Sequence, residues 1–120
     1  MQDSVKHPKQ LVFITIGRNV GVMPMLHEQW LRFILDVEGL LKTVGLDIGQ
    51  RPRLTADQWQ VGEWDGTRED AATFFAYSTD KYTYHPQVLR DGLSHLARKY
   101  GQEAIGFVSV PAEEHPLVEP

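Results

Sequence analysis

The stretch "LVFITIGRNVGVMPM", residues 11–25, runs from an apolar segment through glycines toward a helical pattern, and it decides how the flanking chain folds. Its first part, Leu11 to Ile16, is a run of β-branched and aromatic residues, which is typical of a strand. The spacing of Gly17 and Gly21 fits neither G-x-G-x-x-G nor G-x-x-x-x-G-K-[ST], the two common phosphate-binding loops. The glycines therefore predict a turn that reverses a strand into a helix.

A second interpretation of the same turn stays open. Arg18 carries a positive charge beside backbone N–H groups, and together with Asn19 it could hold an anionic ligand or a partner. Arg18 and Asn19 are therefore candidate binding residues.

Pro24 could occupy the first turn of the next helix, where a missing N–H costs nothing.

The segment after Met25 has the spacing of one helix face, because apolar residues recur every three or four positions. These residues are Leu26, Trp30, Phe33, Ile34, Val37, Leu41 and Val44. Gly45 is placed to end the helix in a left-handed conformation. The following "DIGQRPRL" is interpreted as a loop.

A hairpin is predicted in "QWQVGEWDGTREDAATFFAYS", residues 58–78. Trp59 and Val61 alternate with glutamines, which is a strand pattern. A polar turn at Asp65-Gly66 separates this strand from a second one, Ala71 to Tyr77.

The last third of the chain predicts a helix followed by a strand. Pro86 opens the helix, whose apolar residues repeat at helical spacing, and Gly101 is its natural stop. Ala104 to Val110 is the last strand.

The predicted order is strand, helix, strand, strand, helix, strand. Two split β-α-β units of this kind form an α+β, ferredoxin-like sandwich, in which a four-stranded antiparallel sheet carries two helices on one face. A chain of 120 residues suits one domain. The predicted organisation is a flexible lead-in at 1–10, the domain at 11–110 and a flexible tail rich in Pro and Glu at 111–120.

Alternation divides each predicted strand into two sets of side chains, one for each face of the sheet. One combination is small and aliphatic and suits packing under the helices. The other mixes aromatic residues with Thr and Ser, and we assign it to the open face. Its aromatic members are Phe13, Phe75, Tyr77 and Phe107. Such a set exceeds the usual exposed apolar patch, so we expect a homodimer or another protein partner to cover it.

Composition and motifs narrow the possible functions. The chain has no cysteine, which excludes disulfides and thiol chemistry. The five histidines are scattered without metal-ligand spacing, and no G-x-S-x-G elbow is present. We therefore expect no catalytic cluster, no bound metal and no cofactor. The polar N-terminus and the lack of an apolar run of about 20 residues predict a cytoplasmic protein that does not enter a membrane.

Binding of single-stranded nucleic acid is one alternative function. RNA recognition motifs share this strand order and carry aromatics on the first and third strands, where Phe13, Phe75 and Tyr77 stand here. The third strand lacks the Lys/Arg-Gly opening of that motif, and the net charge of −4 opposes binding to phosphates.

Binding of a small ligand or cofactor is the other alternative. Dimeric ferredoxin-like monooxygenases use a pocket between the open face and the helices, often with Asn, Trp or His. Asn19, Trp59, Trp64 and His85 could line such a pocket, although no spacing supports that placement. A ligand pocket would then lie beside Arg18, Asn19 and Trp59.

Two stretches, "FITIGRNVGVMPMLHEQW" and "LARKYGQEAIGFVSV", resemble small orphan proteins encoded by actinobacterial phages and their hosts. The resemblance rests on the Ile-Gly-Arg-Asn-Val-Gly turn and on the Tyr-Gly-Gln-Glu-Ala-Ile corner between helix and strand. It covers most of residues 11–110. It implies a compact accessory protein of a phage or prophage, acting in the host cytoplasm, and it transfers no catalytic residue.

Overall fold

A computed structural model describes residues 9–52, 60–64 and 67–112 of the chain. Several sequence predictions fall outside the described residues: the candidate Trp59, the turn at Asp65-Gly66, and most of the predicted lead-in and tail.

The described chain forms a main antiparallel sheet, a small hairpin and two helices. The strands are β1 (Gln10–Gly17), β2 (Asn19–Val20), β3 (Met23–Pro24), β4 (Asp47–Gln50), β5 (Gln60–Trp64), β6 (Thr67–Ser78) and β7 (Gly106–Pro111), and the helices are α1 (His27–Thr43) and α2 (Pro86–Lys99). The main sheet has the order β4-β6-β1-β7, β5 also pairs with β6, and β2 pairs with β3. The predicted ferredoxin-like fold is thus confirmed.

The structure adds strands where the sequence predicted a loop and a turn. β4 lies within the segment that was predicted to be a loop. The sequence does not reveal this strand, because its four residues show no alternation of polar and apolar side chains and its register shifts between Ile48 and Gln50. β2 and β3 form a short hairpin within the predicted turn. Pro24 consequently lies in β3, and α1 begins only at His27, so the prediction that Pro24 opens the helix is wrong.

Both helices end as the sequence predicted. Gly45 has a φ of 92° and Gly101 a φ of 66°, the left-handed region that favours glycine. The Gly45 N–H donates to the Lys42 carbonyl and closes the end of α1. Pro86 occupies the first turn of α2, as expected. Neither of the described helices is long and apolar enough to cross a membrane.

The hydrophobic core lies between the sheet and the two helices. Its strand residues come from alternate positions of the two central strands: Val12, Ile14, Ile16, Ala72, Phe74 and Ala76. Its helix residues include Trp30, Phe33, Ile34, Val37, Leu41, Leu89, Leu93 and Leu96. The register sets Ile14 opposite Phe74 and Phe13 opposite Phe75. The predicted division of β1 and β6 into a core side and an open side is therefore correct.

The predicted face of Phe107 is wrong. The register of β7 sets Phe107 opposite the buried Ile14 and sets Val108 opposite Phe13. Phe107 therefore packs against the core, and the Arg90 guanidinium lies 5.0 Å from the centre of its ring. Val108 and Val110 take the place on the open face that the sequence analysis gave to Phe107.

A polar cluster ties the two helices together at the end of α2. The Tyr100 hydroxyl donates to Asp36 Oδ2 at 2.6 Å, and Lys99 Nζ donates to the same oxygen at 3.0 Å. The Tyr100 ring stacks on Phe33 with centroids 4.4 Å apart. Partial burial and the neighbouring carboxylate raise the pKa of Tyr100. Burial also raises the pKa of Asp36, but the hydrogen bonds from Tyr100 and Lys99 outweigh it, so the net shift is downward.

Replacing Gly45 with alanine should destabilise the fold by at least about 2 kcal/mol. A residue with a Cβ in left-handed backbone costs roughly 1–2 kcal/mol, and this Cβ would sit against the Thr83 carbonyl oxygen. Gly39→Ala is the matched control, because Gly39 lies within α1 with nothing within 4 Å of an added Cβ. That change should stabilise the protein by about 0.5–1 kcal/mol. Urea unfolding measures both, and equal effects would contradict this account.

The substitution Tyr100→Phe should keep the stack on Phe33 and lose the hydrogen bond to Asp36. We expect a loss of about 1 kcal/mol near pH 7, allowing for partial exposure. The Asp36 contribution exists above the ordinary carboxyl pKa of 3.8 and is lost as pH falls through its lowered folded pKa. The Tyr100 contribution exists below the ordinary phenol pKa of 10.0 and is lost as pH rises through its raised folded pKa.

The difference in unfolding free energy between wild type and Tyr100→Phe should therefore be largest between these limits and shrink in acid. Tyr82→Phe, at an exposed tyrosine, is the control and should show no such window. A difference that stays constant down to acid unfolding would show that the Asp36 contact contributes nothing.

Candidate functional site

The candidate site is the open face of the main sheet, which we define as the surface opposite the helices. The register puts alternate residues of three strands on it: Leu11, Phe13 and Thr15 of β1, Thr73, Phe75 and Tyr77 of β6, and Gly106, Val108 and Val110 of β7. Because neighbours in the register share a face, these side chains form one continuous layer.

An aromatic row crosses the open face from β1 to β6. Phe13 stacks on Phe75 with centroids 5.1 Å apart and planes inclined by 30°, and the centroids of Phe75 and Tyr77 are 5.9 Å apart. Gly49 of β4 makes room for the row, since a Cβ there would come within 2.7 Å of a Phe75 ring carbon. The sequence predicted these three aromatics together, and the structure brings them together.

The accessible part of the open face centres on one cross-strand pair. Phe13 is 40% exposed and Val108, its partner in the register, is 52% exposed. Phe75 and Tyr77 are half-buried, whereas Leu11 at the end of the face is only 4% exposed. Phe13 and Val108 are therefore the most accessible large apolar side chains of the open face.

None of the described side chains in the middle of the open face is charged. Thr15 and Thr73 join their hydroxyls there at 3.3 Å. Acidic residues stand at its edges: Asp47 lies opposite Tyr77 in the register, and the Glu69 carboxylate lies over Gly17. An apolar centre with acidic edges favours contact with another apolar protein surface and repels phosphate groups.

Arg18, a predicted binding residue, is engaged within the fold. Its NH1 pairs with Asp70 Oδ2 at 3.1 Å, and its Nε donates to the Met25 carbonyl at 2.8 Å. Its backbone N–H donates to the Asp70 carbonyl, and its carbonyl accepts from the Met25 N–H, each at 2.9 Å. The guanidinium thus fixes the corner where β1 leaves the sheet, and its charge is balanced by a carboxylate.

Asn19 lies in the same corner and is held through its backbone. Its N–H donates to Glu69 Oε2 at 2.8 Å, and its carbonyl accepts from Gln102 Nε2 at 2.9 Å. Arg18 and Asn19 are therefore close together, but the neighbouring side chains are the carboxylates of Glu69 and Asp70. This setting opposes an anionic ligand.

The predicted candidates thus fall into separate places. Phe13, Phe75 and Tyr77 share the open face, Arg18 and Asn19 share the corner at the end of β1, and Phe107 lies on the helix side. The place of Val108 beside Phe13 could not be predicted, because it depends on how β7 pairs with β1, and the sequence of one strand does not reveal that register. Among the described residues, no group of His, Asp and Glu is arranged to hold a metal ion.

Comparisons with known proteins support the fold. No protein-family model matches the sequence, and no curated protein sequence matches it either. The C-terminal domain of the MgtC protein from Mycobacterium tuberculosis matches with a TM-score of 0.53 and 12% identity, covering 93% of this chain and 96% of that one. A phage SAM lyase in complex with S-methyl-5'-thioadenosine matches with a TM-score of 0.51 and 15% identity, covering 94% and 97%. At these identities the likeness shows the ferredoxin-like fold alone.

Arg18→Met should destabilise the protein by about 1–3 kcal/mol, because it removes two hydrogen bonds of a partly buried cation and leaves Asp70 without its partner. Arg98→Met, at an exposed arginine of α2, is the control and should change stability by less than about 0.5 kcal/mol. Thermal unfolding measures both. Equal stability of the two variants would argue that Arg18 is kept for a ligand and not for the fold.

Proposed function

We propose that this protein is a small association module that binds a protein surface through its open face, with a second copy of the chain as the simplest partner. The observation that supports the proposal is the exposed Phe13–Val108 pair, which lies among uncharged side chains of the described open face, with acidic residues only at the edges. Apolar area removed from water contributes roughly 25 cal/mol per Å². Aromatic residues in such positions are typical anchors of protein interfaces.

The stacking within the aromatic row favours binding further. Phe13 and Phe75 already hold each other in place, so ordering their rings on binding costs less than ordering free side chains. Their neighbours Thr15 and Thr73 share one hydrogen bond between their hydroxyls, which reduces the polar surface that a partner has to dehydrate there.

The size of the open face limits the affinity it can give. Four strands about 4.8 Å apart, with a rise of about 3.3 Å per residue over six residues, offer an area on the order of 400 Å². Stable specific interfaces bury about 800 Å² on each partner. Association through this face alone should therefore be weak and reversible.

The remaining parts of the proposal concern setting and chemistry. The resemblance to phage-encoded orphan proteins supports an accessory role, and the absence of cysteine is compatible with a cytoplasmic location. The described residues hold no metal-binding cluster, and the paired Arg18 offers no free cation for catalysis. We therefore favour a non-enzymatic role.

Binding of a small planar ligand is the second candidate. The phage SAM lyase of the same fold was solved with S-methyl-5'-thioadenosine, and a purine could stack on the aromatic row. A thermal-shift titration with that nucleoside separates the two candidates, since a ligand that binds only the folded state raises the melting temperature. A rise that Phe13→Ala abolishes would favour this second function.

Phe13→Asp should weaken self-association through the open face about tenfold or more, equivalent to roughly 1.4 kcal/mol or more, because it puts a charge into that interface. Leu35→Asp is the matched control, since Leu35 is 49% exposed on α1, away from the open face. Sedimentation velocity over a micromolar concentration series measures both variants beside the wild type. A wild type that stays monomeric throughout, or an unchanged Phe13→Asp, would overturn self-association through this face.

A further inference from the structure

The outer edge of β7 forms one side of the main sheet. In the strand order β7 is terminal, and among the described residues no strand pairs with its outer side. Its sequence, Gly106 to Pro111, contains no charged residue, and its register with β1 is continuous. The opposite edge differs, because β4 carries a register shift between Ile48 and Gln50. Charges, bulges and prolines are what usually prevent edge pairing. β7 has no charge and no bulge, and its one proline, Pro111, is its last residue.

The ladder between β1 and β7 fixes which backbone groups of β7 point outward. The Ala112 N–H donates to the Lys9 carbonyl at 2.9 Å. The pairs Leu11 with Val110 and Phe13 with Val108 follow at steps of two residues, so Val110 and Val108 also direct their N–H and C=O groups to β1.

The intervening residues, Phe107 and Ser109, therefore direct their N–H and C=O groups away from the sheet. Pro111 also occupies an outward position, so its missing N–H removes no bond from the ladder with β1. The outward edge thus offers complete donor and acceptor pairs at Phe107 and Ser109.

These outward groups are self-complementary. They lie one residue on each side of Val108, so an identical antiparallel strand, related by a two-fold axis at Val108, sets Phe107 of each copy opposite Ser109 of the other. Each such pair exchanges two backbone hydrogen bonds. Val108 then faces its own copy in a non-hydrogen-bonded pair, the arrangement that brings side chains closest.

We propose that two copies of this chain pair antiparallel along β7 to form one continuous sheet. A second copy fits better than an unrelated strand, because the same register satisfies both chains at once and closes as a two-fold pair. Pairing also joins the two open faces and brings each Phe13–Val108 pair beside its copy. The joined face has an area on the order of 800 Å², about what a stable interface buries on each partner, and edge pairing leaves this face exposed for a further protein surface.

Amide hydrogen exchange followed by NMR tests the pairing directly on the full chain. The Val108 and Val110 amides should be protected at every protein concentration, because they bond to β1. The Phe107 and Ser109 amides should exchange quickly in dilute solution and become protected as concentration rises. Fast exchange of Phe107 and Ser109 at concentrations where the protein is dimeric would overturn the edge pairing, as would a protein that stays monomeric throughout.

A matched pair of variants at Ser109 isolates the backbone bond. Ser109→Ala and Ser109→Pro both lose the hydroxyl, which lies 3.5 Å from the Tyr84 hydroxyl and 3.4 Å from Gln10 Oε1. Only Ser109→Pro also loses the outward N–H, and it leaves the ladder with β1 intact. By sedimentation, Ser109→Ala should associate like the wild type. Ser109→Pro should dimerise at least about tenfold more weakly, a loss of roughly 1.4 kcal/mol or more, because each copy loses one bond across the pair.

Preserved protection of the Val108 and Val110 amides shows that Ser109→Pro is folded. Equal association of the two Ser109 variants would contradict the proposal. Pairing along the edge and association through the open face can be overturned separately. Phe13→Asp should leave the concentration-dependent protection of the Phe107 amide in place, and Ser109→Pro should leave the aromatic row unchanged.

Discussion

The alternation of side chains along β1 and β6 is the constraint on which the rest of the structure depends. Val12, Ile14 and Ile16 are almost completely buried beneath the helices, which leaves Phe13 and Thr15 no choice but the opposite face. A shift of one residue in register would expose the aliphatic set and bury the aromatic row in a core that has no space for it. The core and the open face are therefore two results of one register, and neither can change without the other.

The corner at the end of β1 secures this register at one point. Arg18 and Asn19 bond to Asp70 and Glu69, residues that lie on β6 just beyond its pairing with β1. A slip of β1 against β6 would break the ion pair between Arg18 and Asp70. It would also break the hydrogen bonds that the Arg18 and Asn19 N–H groups donate to Asp70 and Glu69. The polar groups that were candidates for a ligand site in the sequence thus hold the two central strands in register. Gln102 connects this corner to the chain after α2, because its Nε2 donates to the Asn19 carbonyl.

The sequence predicts those parts of the fold that local patterns determine. The strand order, both left-handed glycines and the faces of Phe13, Phe75 and Tyr77 follow from periodicity and from glycine chemistry. β4 was missed because a four-residue strand with a shifted register has no periodicity to detect. The roles of Arg18 and Asn19 were missed because their partners lie about fifty residues away, as the separations of 52 and 50 show, and only the tertiary fold brings them together.

The error at Phe107 has the same origin and a larger consequence. In "FVSV", residues 107–110, one face of the strand carries Phe107 and Ser109 and the other carries two valines. Either set could face the helices, and the register between β7 and β1 decides which one does. The ladder turns Phe107 inward beneath Arg90 and turns Val108 outward beside Phe13. This moves the accessible centre of the open face toward the sheet edge, because Val108 stands on the terminal strand. The same alternation directs the backbone groups of Phe107 and Ser109 outward. The exposed side chain of Val108 and the edge that no described strand pairs with therefore lie on adjoining surfaces of β7. An association that used only the face would leave that edge open, whereas pairing along β7 closes the edge and enlarges the face together.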